Sequence, residues 1–131
     1  MDGGARKFSA LIPSRQVRWA LIYPAREEFL ERFGLEPFQV DPEIGLFVYR
    51  AGSEGPVDVE FSFSLVRSFQ VSMFIDGVEV SVISSEGVDS VSMFESDGRS
   101  GLRIEFIPEL GLSRVELVLE PTIHLVWSTL V

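Results

Sequence analysis

The stretch Phe69-Gln-Val-Ser-Met-Phe-Ile-Asp-Gly-Val-Glu-Val-Ser-Val82 decides the fold class. Phe69, Val71, Met73 and Ile75 are apolar at odd positions and Val78, Val80 and Val82 at even ones, with Asp76-Gly77 between them. A period of two sends alternate side chains to opposite faces of a strand. Asp-Gly is a favoured centre for a two-residue hairpin turn, because both positions take positive φ there. The turn pairs Ile75 with Val78, Met73 with Val80 and Val71 with Val82, all six side chains on one face, so turn chemistry and alternation agree on a register.

Upstream, Val57, Val59, Phe61, Phe63 and Leu65 alternate with Asp58, Glu60, Ser62 and Ser64, which predicts a strand buried on one face. Downstream, Val115, Leu117 and Leu119 precede Glu120-Pro-Thr122, and Ile123, Leu125 and Trp127 follow. A three-residue loop there pairs 119 with 123, 117 with 125 and 115 with 127. Strands are expected near 88–95 and 101–107, separated by the loop Glu95–Gly101, and over 44–50 and 57–66. One helix is expected over 24–33. Pro24 suits a first helical position, Phe29, Leu30 and Phe33 form an apolar stripe, and Gly34 fits a left-handed C′ residue. Within residues 14–23, Gln16–Ile22 reads equally as strand or helix. The fold class is mainly β (α+β): an antiparallel meander of about eight strands forming a sandwich or open barrel, with one short N-terminal helix plugging an end or covering a face.

The 131 residues are expected to form a single domain over 1–131, with 46% hydrophobic residues to close a core. Cysteine is absent and histidine occurs once, which excludes disulfide scaffolds, thiolate metal sites, a cysteine nucleophile and any site needing two imidazoles. The formal net charge is -9, unevenly spread. Residues 1–32 hold six basic and four acidic groups, a balance of +2; residues 33–131 hold five basic and sixteen acidic groups, a balance of -11. An acidic body argues against nucleic acid and against anionic membrane surfaces, and would steer a basic protein toward itself. No signal peptide and no membrane-spanning run is visible, so a cytoplasmic location is the expectation.

Chemistry-bearing patterns are sparse. His124 would lie opposite Val118 on the second hairpin, and no Gly-x-Ser-x-Gly elbow or neighbouring acid completes a triad. Glu95-Ser-Asp97-Gly98 lacks the ligand series of a calcium loop. Asp58 and Glu60 lie about 7 Å apart along one strand face, a separation compatible with glycoside hydrolysis, but without flanking aromatics they read as solubilising residues. No catalytic residue, metal ligand or cofactor is expected, and the chain is not read as an enzyme. Two surfaces remain. One is the outward side of the first sheet, with Asp58, Glu60, Ser62, Ser64 and Glu79, joined by Gln70, Ser72 and Ser81, suited to a basic protein partner. The other is an apolar cavity lined by Phe61, Phe63, Phe69, Met73, Phe74 and Phe106, which would make the protein a β-barrel carrier of a small apolar ligand. Exposed sheet edges would also allow a homodimer.

The segment Glu36-Pro-Phe-Gln-Val-Asp-Pro-Glu-Ile44, followed by acidic strand-rich sequence, resembles small immunity proteins of bacterial polymorphic toxin systems. The resemblance implies a non-enzymatic inhibitor that binds a toxin domain by surface complementarity, and it transfers no site residues.

Overall fold

A computed structural model describes residues 22–52, 55–107 and 114–128. The ambiguous segment ahead of Ile22 lies outside the described residues. Helix α1 (Arg26–Phe33) begins two residues later than the proline predicts, with Ala25 as N-cap. The Glu28 carboxylate accepts the Ala25 N–H at 2.8 Å, and the Ala25 carbonyl accepts the Glu28 N–H at 3.0 Å, so the first turn is closed without a capping side chain. Gly34 ends the helix at φ 70°, its N–H bonded to the Leu30 carbonyl and the Leu35 N–H to that of Phe29. Only part of the expected stripe is used: Phe29 is fully buried, Phe33 half-buried, and Leu30 faces solvent.

Nine strands follow among the described residues: β1 (Gln39–Asp41), β2 (Leu46–Ala51), β3 (Val57–Phe63), β4 (Ser68–Ile75), β5 (Val78–Glu86), β6 (Val88–Ser96), β7 (Arg99–Phe106), β8 (Arg114–Glu120) and β9 (His124–Ser128). They form two antiparallel sheets in simple sequential order, β1-β2-β3-β4-β5 and β6-β7-β8-β9, and no closed barrel. The expected meander is present, as a two-sheet sandwich. The chain passes from one sheet to the other between β5 and β6, at the single residue Gly87.

Alternation sorts the side chains as the strand period requires. Cross-strand rows Phe47–Phe63–Phe69, Tyr49–Phe61–Val71 and Ala51–Val59–Met73 line the inner side of the first sheet. Val91–Ile104–Val115 and Met93–Leu102–Leu117 line that of the second. Both sides contribute to one core together with Phe29. The Phe29 ring stacks on Tyr49 at 4.2 Å between centroids and packs against Phe61 and Phe63 at 6.2 and 5.9 Å. The helix therefore covers the inner side of β2 and β3.

Several boundaries differ from the sequence reading. The strand expected to reach residue 66 stops at Phe63. Ser64 then opens a turn: its N–H bonds the Ser68 carbonyl, its hydroxyl lies 2.7 Å from that of Ser68, and Leu65 and Val66 are left exposed. The seven-residue loop expected after Glu95 is a two-residue turn, Asp97-Gly98, both at positive φ, and pairing continues out to Ser96 with Arg99. Because Asp-Gly supplies both positive-φ positions by itself, the flanking serines remain in the strands. In the C-terminal hairpin, 117 pairs with 125 and 115 with 127 as expected, and His124 lies opposite Val118.

The largest difference lies in the decisive hairpin. Asp76-Gly77 forms the turn at φ 51° and 80° and pairs Ile75 with Val78, as expected. Phe74 then pairs with Glu79 but Met73 with Ser81, so Val80 is an extra, bulged residue. Beyond it Ser72 pairs with Val82 and Val71 with Ile83, so Ile83, not Val82, joins the inner side. Val82 and Ile83 are adjacent apolar residues, and either can face the core. The extra residue Val80 shifts the register by one and gives that place to Ile83. The bulged Val80 and the outward Val82 are 54 and 48% exposed, and Val78, still opposite Ile75 beside the turn, is 63% exposed.

A second close approach fixes the other sheet. Gly101 lies at the register shift between β7 and β8, and a methyl group there would collide with the Leu117 carbonyl.

The bulge is tested by two lysines. Val82→Lys should change unfolding free energy by less than about 0.5 kcal/mol, whereas Ile83→Lys should cost about 2 kcal/mol or more, both read from urea midpoints; a larger cost at Val82 than at Ile83 would restore the unbulged register. Burial pushes the Tyr49 hydroxyl up to about 12, opposed by the nearby Arg26 charge. The unfolded chain ionises this group near pH 10, the folded one about two units later. Its contribution is therefore complete below pH 10 and lost as pH rises toward 12, by up to about 2–3 kcal/mol. The stability profile of Tyr49→Phe should fall less steeply across that window.

Candidate interaction surface

The outer side of the first sheet is built by the even positions of β2, β3 and β4. Asp58, Glu60 and Ser62 point outward with Gln70 opposite Ser62, Ser72 opposite Glu60 and Phe74 opposite Asp58. Glu79 joins them across from Phe74. Two of the serines expected there do not. Ser64 is fully buried in its turn, and Ser81 sits opposite Met73 on the inner side because of the bulge.

This side is less acidic than its sequence suggests. Arg50 on β2 pairs with Glu60 directly across on β3, Nε to Oε1 at 3.1 Å, and its guanidinium lies 3.8 Å from the centroid of the Phe38 ring. Glu60 is thereby neutralised, while Asp58 makes no hydrogen bond or ion pair with any described residue. An open depression of about 550 Å³ lies beside it, lined by Leu35, Arg50, Asp58, Glu60, Phe74 and Gly77. A second, of about 670 Å³, lies between the end of α1, residues 52 and 55–57, and the β8–β9 turn, lined by Phe33, Leu35, Val57, Leu119, Pro121 and Ile123 among others.

What sequence reasoning missed is the apolar margin. Ile75, Val78, Val80 and Val82 are all exposed along one edge of the sheet, where the sequence reading had packed them inward. Exposed apolar clusters on a folded protein mark interaction sites more often than isolated apolar residues do. The signal that could have exposed them was the Val82-Ile83 pair, which breaks strict alternation and so permits a bulge.

Of the residues proposed for a ligand cavity, Phe61, Phe63, Phe69 and Phe106 lie in one core cluster with Met73 packed against it, and Phe74 does not join them. Phe61, Phe63 and Phe69 are each 1% exposed or less and Phe106 5%, packed into the core, while Phe74 lies on the opposite side of the sheet. His124 is half-buried on β9. Among the described residues no group of three or more His, Asp or Glu side chains is placed to hold a metal ion. No described helix is long and apolar enough to cross a membrane.

No known protein family matches the chain, and no curated protein sequence matches it. Among solved structures it is similar to a chain of the contact-dependent growth inhibition toxin–immunity protein complex from Klebsiella pneumoniae 342. The TM-score is 0.77 over 85% of this chain and 98% of that one, at 24% identity. At that identity the likeness is one of fold. It comes from a toxin–immunity complex, the kind of system to which the segment Glu36–Ile44 also bears a resemblance.

Proposed function

We propose that this protein is a non-catalytic immunity-type inhibitor, which binds a bacterial toxin domain in the cytoplasm through an acidic and apolar sheet surface. The observation that carries the reading is the fold shared with nearly the whole of a chain from a toxin–immunity complex. The neutralising rather than the toxic half is favoured by what the chain offers. Its aromatic side chains fill the interior, its single histidine has no carboxylate bonded to it among the described residues, and its charge is -9. A protein so built has surface complementarity to work with, and its charge selects a basic partner.

Co-expression tests it. With the toxin domain of a contact-dependent growth inhibition system from the same genome, the chain should restore growth and co-purify as a complex; unrestored growth would count against the role. Association should slow by roughly tenfold or more between low salt and 0.5 M, because attraction between net charges is screened. Asp58→Lys with Glu79→Lys should reduce the on-rate and flatten that dependence while leaving the urea midpoint nearly unchanged. An on-rate indifferent to salt would remove the acidic surface from the proposal.

A further inference from the structure

Two antiparallel sheets that do not close leave four edges, and they differ in what covers them. β1 is three residues long and β9 five. The β6 edge is met by Ile22, which bridges Ser90 and accepts the Val91 N–H at 2.7 Å. β5 runs for nine residues, pairs only with β4, and has nothing on its other side among the described residues. Its free edge divides in two. Toward the hairpin tip the bulge at Val80 interrupts the ladder; from Ser81 to Glu86 every residue is regularly paired with β4, from Met73 back to Ser68. That second part therefore presents a straight run of outward backbone donors and acceptors. It carries neither the lysine nor the proline that commonly blunts such an edge.

The side chains along this run are those of a strand with a neighbour missing. Val82 is exposed on the outer side, and Ile83 is half-buried on the inner side at the margin of the core, so an incoming strand would meet an apolar side chain on both faces. Glu79 and Glu86 stand exposed near the two ends. A second copy of the chain would bring a further charge of -9 to this edge. A segment with lysine or arginine at its ends would instead meet both glutamates favourably.

We infer that the free edge of β5 from Ser81 to Glu86 is the place where an extended segment of a basic partner protein adds as a further strand of the first sheet. The segment has apolar side chains at its centre and Lys or Arg at its ends. Main-chain hydrogen bonds would supply affinity, and the Val82 and Ile83 contacts would set register. The inference rests on the inhibitor reading for the partner's role and specifies which surface it uses.

The test titrates the full chain with the synthetic peptide acetyl-Lys-Ser-Val-Thr-Val-Ser-Lys-amide and follows backbone amides by NMR. Slowed exchange and shifts confined to Ser81–Glu86 are expected. N-methylation of alternate peptide residues, which removes pairing donors but no charge, should weaken binding by about tenfold or more, as should Val82→Lys. Equal binding of the N-methylated peptide, or shifts centred on Asp58 and Phe74, would overturn the inference. So would protection of these amides in the free chain, whether concentration-dependent (a second copy) or not (the chain's own N-terminal residues). The growth assay separates the two readings. Unimpaired rescue by Val82→Lys with Ser84→Lys leaves the inhibitor role and removes the edge. Failed rescue by the unmodified chain, with the peptide still adding to β5, removes the role alone.

Discussion

The packing of Phe29 against Tyr49, Phe61 and Phe63 is the constraint on which the rest depends. A five-stranded sheet has two sides, and a four-stranded partner sheet together with a short helix must cover one of them completely. The helix contributes one fully buried aromatic ring for this, stacked at 4.2 Å on Tyr49. Losing the Phe29 ring would open a void beside three aromatic neighbours, a change that costs about 3–5 kcal/mol in well-packed cores. Much of the phenylalanine-rich composition is accounted for by this packing.

That surface is shaped by two opposing local effects. Cross-strand pairing of Arg50 with Glu60, capped by Phe38, and of Arg103 with Glu116 at 2.9 Å under Phe94, neutralises charge on the sheets themselves. Such partly exposed pairs add little to stability, with values near 0–1 kcal/mol typical. Their effect is on where the remaining charge resides. Asp58 has no ion-pair partner among the described residues, and Glu79 and Glu86 remain exposed along β5.

Much of this was legible in the sequence, for definite reasons. The Asp76-Gly77 turn, the alternation through β3, and the pairings of Leu117 with Leu125 and Val115 with Trp127 follow from short-range rules that tertiary context did not override. The side of the sheet on which Asp58, Glu60 and Ser62 lie followed from the same period. Three features were not legible. The bulge at Val80 is hinted at only by the adjacent apolar pair Val82-Ile83, which permits a register shift without requiring one. Ser64 reads as one more wet position until the turn with Ser68 encloses it. Leu30 reads as core by spacing, yet α1 meets the core through Phe29 and Phe33 and leaves Leu30 half-exposed.

The bulge also separates two demands that a single strand face cannot meet together. Solubility at 46% hydrophobic content requires wet outer faces, and acidic residues provide them. Partner recognition with any geometric specificity requires apolar contact and directional bonds, which charge alone does not give. An unbulged β5 would turn Val80 and Val82 inward and put Ile83 on the outer side. The inserted residue Val80 puts Val82 on the outer side while Ile83 takes the place at the core, and it does so on a strand whose backbone pairs on one side only among the described residues. Exposed acids and an open backbone edge thus occur on different residues of the same strand.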